Sequence, residues 1–245
     1  MELLSSQKNW DELGKDDPLW VVLTHPDKKG GKWDVGEFFA TGRQEIGDVL
    51  AEIASLGLRL QHGSALDFGC GVGRLTQALT EYFDETHGVD ISPSMIGHAR
   101  RFSPVGTKCI FHVNIQSNLE LCETNSFDFV YSNIALQHIE PKYSLQYIGE
   151  FLRVLKPGGI CVFQVRTATF LRRLFPEFIA EKYRRFKFRN EPVIGIFGIP
   201  ERLIVKVVKN AGGKIVKVTR EKVPEPGVSW RWISLRFVLV KKYEA

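Results

Sequence analysis

Between Ser64 and Val165 the chain alternates short apolar runs with stretches of helical spacing. SALDF, THGVDI, CIFHV, FDFVYS and GICVFQV are too short for helices and rich in β-branched and aromatic residues, so each reads as a strand. Between them, LTQALTEYF, the stretch from Pro93 to Arg101 and YSLQYIGEFLRVL carry helical spacing. Pro93 sits where a missing N–H costs nothing, and Lys156-Pro157-Gly158-Gly159 stops the last helix. Strand and helix in alternation predict β-α-β units around a parallel sheet. Further on, Glu201 to Asn210 reads as a helix closed by Ala211-Gly212-Gly213. KIVKVTRE and SWRWISLRFVLVKK then read as a terminal antiparallel hairpin, with Ile233, Leu235, Phe237 and Leu239 facing in. The expectation is an α/β fold with a seven-stranded, mostly parallel sheet and helices on both faces.

The flanks are less regular. Residues 1–60 are aromatic-rich, with Trp10, Trp20, Trp33, Phe38 and Phe39, and end in a predicted helix from Arg43 to Leu56 striped by Ile46, Val49, Leu50 and Ile53. This region reads either as a lid over a substrate or as a cover for the sheet edge. Residues 166–200 read as an insertion. In it Leu171, Leu174, Phe175, Phe178, Ile179, Tyr183 and Phe186 form an apolar stripe opposite arginines, and Pro176 breaks the helix or starts its second half. Residues 61–165 would be the core and 201–245 the helix and hairpin that complete the sheet, all in one domain.

Composition narrows the class. At 245 residues, with 44% hydrophobic and 25% charged positions, the chain is an ordinary globular protein and not collagen-like, disordered or disulfide-stapled. Cys70, Cys109, Cys122 and Cys161 form no C-x-x-C pair, which argues against a zinc knuckle or redox motif and for a reducing compartment. With Glu2 where a secretory leader would be cationic, and no apolar run of membrane-spanning length, the expected location is the cytoplasm. The net charge of +5 is concentrated: Arg166, Arg172, Arg173, Lys182, Arg184, Arg185, Lys187 and Arg189 face only Glu177 and Glu181 between residues 166 and 190. That segment reads as a solvated arginine face, as a contact for an acidic or phosphorylated small molecule, or as a contact for RNA phosphates or an anionic membrane. Trp230 and Trp232 share a strand face, where packing and ligand stacking are both open.

The sharpest motif is ALDFGCGVGRLT, residues 65–76, which follows a strand, opens a helix and precedes an acidic strand end, Asp90. Gly69, Gly71 and Gly73 allow a tight turn and close approach of a ligand to the backbone. A dinucleotide fits poorly. Its fingerprint needs Gly or Ala at position 74, which is Arg74. Asp67, two residues before Gly69, is also expected to aim a carboxylate into the loop, and a like-charge contact near 4 Å costs roughly 4 kcal/mol at an effective dielectric of 20. A cationic sulfonium or ammonium is favoured instead. S-adenosylmethionine joins a positive tail to adenosine, and Asp90 is placed to accept both ribose hydroxyls.

LDFGCGVG, VDISPSMI, the polar turn Asn114-Ile115-Gln116, FDFVYSNIALQHI and LRVLKPGG follow one another at ordinary spacing, and together they resemble a class I S-adenosylmethionine-dependent methyltransferase of the small bacterial type, with its Rossmann-like sheet. The resemblance covers residues 38–165. It implies that Asp67, Phe68, Gly69, Cys70 and Gly71 hold the methionine portion, Asp90 the ribose, and Ile91 and Met95 the adenine. Asn114 or Gln116, with Ile115 between them, occupies the position that commonly carries Asp for the adenine amino group, so the amide departs from the pattern. Ser132 and Asn133 would lie beside the reacting methyl, and Phe39 to Arg43 resembles a segment that crosses the cofactor, with Arg43 pairing its carboxylate. Cys70 is otherwise explained as a small packing residue.

Methyl transfer is an in-line displacement that needs alignment and no metal. For a hydroxyl acceptor, His138 after the fourth strand is the candidate base, with loop orientation or helix capping as its alternative role. The leading expectation is transfer to an oxygen or nitrogen of a small molecule. RNA or protein is the alternative acceptor, and cofactor binding without turnover the third reading. Ser132-Asn133-Ile134-Ala135 lacks an N-P-P-Y motif, which argues against a planar base or amide nitrogen as acceptor.

Overall fold

The computed structural model describes residues 3–104, 108–168, 195–222 and 232–243. Its elements run α1 (Leu3–Asp16), α2 (Pro18–Val22), α3 (Val35–Ser55), β1 (Ser64–Phe68), α4 (Arg74–Leu79), β2 (Glu85–Asp90), α5 (Pro93–Phe102), β3 (Cys109–Val113) and β4 (Phe127–Ser132). They continue with α6 (Pro141–Val154), β5 (Leu155–Ala168), α7 (Glu201–Asn210), β6 (Gly213–Lys222) and β7 (Trp232–Lys241). One seven-stranded sheet has the order β3-β2-β1-β4-β5-β7-β6. The first five strands are parallel, and β7 inserts antiparallel between β5 and β6. The predicted strands and hairpin are all present. Within the described residues no helix is long and apolar enough to cross a membrane.

Strand alternation sorts the core into two layers. Ala65, Phe129, Tyr131, Ile160, Val162 and Val238 pack under α3 and α4, against Ile46, Val49 and Ile53. Leu66, Phe68, Val130, Phe163 and Phe237 face the other way, onto α6 and α7. Phe163 and Phe237 are fully buried and stack with centroids 5.2 Å apart, which fixes β7 against β5.

One boundary differs from the sequence expectation. α3 starts at Val35 rather than Arg43, because Asp34 caps it by accepting from the Glu37 N–H at 2.8 Å. Phe39 to Arg43 therefore lies inside a helix, where Gly42 packs so closely on α4 that a Cβ would sit 2.5 Å from the Arg74 carbonyl oxygen. α6 ends at Val154, just before Lys156 to Gly159 as expected; β5 begins at Leu155, and those four residues are absorbed as a register shift against Phe127 and Phe129. Buried Lys241 steadies this junction. Its ammonium donates to the carbonyls of Leu155 at 2.8 Å and Arg153 at 3.2 Å, and to Asn125 Oδ1 at 2.6 Å.

The basic stretch from residue 169 onward, with its apolar stripe, lies outside the described residues, as do Trp230 and the side chain of Trp232. Truncating Phe237 to Ala should lower unfolding free energy by about 3–5 kcal/mol in urea denaturation, since it empties the contact that locks β7 into the sheet.

Candidate functional site

The strand order reverses between β1 and β4, and the carboxyl ends of β1, β2 and β4 open into a cleft. Such reversal points leave a crevice because the connections leave in opposite directions. The loop from Phe68 to Gly73 forms its floor. Gly69 has φ +77°, and a Cβ there would collide with the Ala135 methyl, so the backbones after β1 and β4 meet only because the residue is glycine. Gly73, at φ +82°, caps α4.

Asp90 ties the loop to the next helix. Its Oδ2 accepts from the Gly71 N–H at 2.9 Å and its Oδ1 from the Ser92 N–H at 2.9 Å. Burial raises the carboxyl pKa, opposed by backbone N–H groups of Ser92, Gly71 and Ile91. Each oxygen keeps a further lone pair for a ligand hydroxyl. Asn114 lines the same cleft, but its amide orders the turn after β3, donating to the Asn118 carbonyl at 2.8 Å and accepting from the Gln116 N–H at 3.2 Å.

Phe68, Gly69, Gly71, Asp90, Ile91, Met95, Asn114, Asn133 and His138 are brought together around the cleft. Arg43, Asp67, Cys70, Ile115 and Ser132 are not among its lining residues. Arg43 lies at a separate surface pocket between α3 and α4, 4.0 Å from Glu81. Asp67 shares its strand face with Ala65, so its carboxylate turns behind the loop and accepts from Thr76 Oγ1 at 2.7 Å instead of aiming at a ligand. Ser132 donates to the Phe68 carbonyl at 3.0 Å, Cys70 is buried under α5, and Ile115 is exposed. Sequence reasoning missed Ser6, Trp10, Val22, Ile134 and Ala135, which also line the cleft. α1 supplies the first two. It is fixed to α5 by Asp11, which accepts from the Ser94 N–H at 2.8 Å, and Trp10 meets His138 edge-on at 5.3 Å.

Two networks hold the β4 end. Glu45 pairs with Arg74 at 2.6 Å and accepts from Tyr131 at 2.8 Å and from Asn133 at 2.6 Å. Arg166 donates to Gln137 Oε1 at 2.7 Å, so the Gln137 amide nitrogen faces His138 Nε2 at 2.9 Å, while His138 Nδ1 faces the Gly195 carbonyl at 2.9 Å. An amide N–H only donates and a carbonyl only accepts, which assigns the neutral Nδ1–H tautomer. Ile134, between the two networks, has φ +62°, a genuine outlier for a β-branched residue that costs about 1–3 kcal/mol.

Residues 66–163 match the family model described as a methyltransferase domain. Over 154 residues the chain is 29% identical to a 2-methyl-6-phytyl-1,4-hydroquinone methyltransferase of Synechocystis, covering 62% of this chain and 47% of that protein. It is 34% identical over 96 residues to phosphoethanolamine N-methyltransferase 3 of Arabidopsis thaliana, covering 38% of this chain and 19% of the relative. The chain thus spans less than half the length of either curated relative. A solved magnesium protoporphyrin IX methyltransferase from Synechocystis with bound S-adenosylhomocysteine superposes with a TM-score of 0.63 at 18% identity, over 96% of this chain and 98% of that one, and speaks to the fold. Residues 66–163 thus match a methyltransferase domain, and the chain shares the fold of a solved methyltransferase.

The cofactor of this methyltransferase family fits the residues present. The floor is glycine where a Cβ would fill the cradle, Asp90 offers acceptors to paired hydroxyls, and Met95 and Ile91 supply apolar walls. Asp67 serves the domain from behind the loop. Burial pushes its carboxyl up from 3.8 to about 7, with Thr76 and Arg74 opposing, and its Oδ1 has no partner. Because the folded value is raised, stability from this group is full below about pH 4 and is lost as pH climbs through about 7. Asp67→Asn should therefore gain up to about 4 kcal/mol over the parent at pH 8 and little at pH 4, read as unfolding free energy across pH.

Proposed function

We propose that the chain transfers a methyl group from S-adenosylmethionine to an oxygen or nitrogen of a small-molecule acceptor. The observation that carries this reading is the Asp90 carboxylate, held between the glycine loop and α5 at the floor of an apolar cleft. In this reading Asp90 accepts both ribose hydroxyls, the backbone of Phe68 to Gly71 holds the methionine portion, Ile91 and Met95 flank the adenine with Asn114 beside it, and Asn133 borders the reacting centre. Arg43 and Asp67 take no direct contact. When bound, the cofactor supplies an electrophilic methyl: the acceptor lone pair bonds to carbon as the carbon–sulfur pair returns to sulfur, and the acceptor proton passes to water or a base. The chain's own part is alignment and exclusion of water.

His138 is placed to orient the acceptor. It serves as base only if Gln137 releases Nε2, so a hydroxyl acceptor would have to take the place of the Gln137 amide. Residues 1–60 serve as a cap, within a single domain of the cytoplasm. An acidic acceptor rests on the basic stretch outside the described residues, whereas the described wall is mainly apolar.

Incubation with methyl-labelled cofactor and fractionated cell extract tests the reading. Label should enter the small-molecule fraction, and Asp90→Ala, checked for folding by circular dichroism, should lower incorporation at subsaturating cofactor by about tenfold or more through two lost hydrogen bonds. Label in RNA or protein would overturn the acceptor class, and bound cofactor without label would overturn catalysis.

A further inference from the structure

The half of the cleft over β4 has a feature that cofactor binding does not require. Directly after Asn133, Ile134 adopts the left-handed conformation that Gly or Asn would take readily, and its backbone N–H is held by Gln164 Oε1 at 3.2 Å. Gln164 is itself set from the sheet, donating to Ser234 Oγ of β7 at 3.0 Å. The result is a large apolar side chain left 39% exposed at the cleft wall. Stored strain at a site lining residue points to a function for the side chain that the strain presents. Ala135, Ile139 and Trp10 line the same cleft, the last edge-on to His138. Within the described residues this wall carries no lysine or arginine.

Resting on the methyltransferase reading, we propose that Ile134 and Trp10 are specificity-determining residues that grip a flat, apolar ring on the methyl acceptor. An aromatic ring packs on apolar walls with little loss of rotamer freedom, and a β-branched isoleucine is stiff at χ1. His138 and Asn133 then supply the polar contacts that orient the ring's reacting substituent.

The test uses the full chain saturated with S-adenosylhomocysteine and titrated with 1,4-dihydroxynaphthalene, followed by tryptophan fluorescence. Ile134→Gly and Ile134→Asn both suit the left-handed backbone, so both should keep or raise the melting temperature and leave S-adenosylhomocysteine affinity within about twofold. Each should weaken the ring probe by about tenfold or more, as should Trp10→Ala. A melting temperature that falls in both Ile134 variants with probe affinity unchanged would assign Ile134 to the scaffold and overturn the proposal. So would tighter binding of ethanolamine phosphate than of the ring probe, or loss of S-adenosylhomocysteine affinity in place of probe affinity. If the parent chain binds no S-adenosylhomocysteine at all, the methyltransferase reading fails and takes this inference with it.

Discussion

Asp90 is the carboxylate on which the site depends. With one oxygen on the Gly71 N–H and the other on the Ser92 N–H, it stitches the turn after β1 to the turn after β2. Backbone bonding between the two runs out at the Val89 carbonyl, which accepts from the Gly69 and Cys70 N–H groups, so a buried acceptor beyond it fixes the shape of the floor. The same two bonds keep the carboxylate from rotating away, which preorganises its remaining lone pairs for a ligand. Burial without a facing cation opposes the charge and backbone N–H groups support it, a balance suited to hydroxyl donors and unsuited to phosphates.

Around that floor the structure spends its buried charge sparingly. Arg74 stands where a dinucleotide loop would need a small residue, and the reason is architectural: its guanidinium, 4% exposed, pairs with Glu45 of α3, which also takes Tyr131 and Asn133 of β4 and the residue after it. One carboxylate thereby joins α3, α4 and β4, and removing either partner of such a pair would leave an uncompensated charge. The link runs from behind the glycine loop to Asn133 at the cleft, so packing on the back of the sheet sets side-chain direction at the front.

Much of this was legible in the residues. Strands came through because apolar runs bounded by Gly and Pro leave few other readings, and Asp90 because an acid ending the strand after a glycine turn has a fixed place in a parallel sheet. The direction of Asp67 lies in the alternation that puts it on the face of Ala65, and its position in the glycine motif does not carry it. Lys156 to Gly159 ends α6 as Pro and Gly punctuation implies, while pairing with β4 takes the same residues into β5 as an irregularity. Ile134 carries no local signal, and Trp10 only the aromatic bias of residues 1–60. Their place at the cleft follows from α1 docking on α5 and from a backbone angle set by Gln164, both of them contacts between residues far apart in the chain.

The central claim is that the cleft is shaped for an adenosine bearing an amino-acid sulfur tail and not for a diphosphate. Calorimetric titration of the chain with S-adenosylhomocysteine, repeated with NAD under the same conditions, tests it most directly. The account predicts saturable binding of one S-adenosylhomocysteine per chain and no competing heat from NAD. Saturable NAD binding that S-adenosylhomocysteine fails to displace would contradict it.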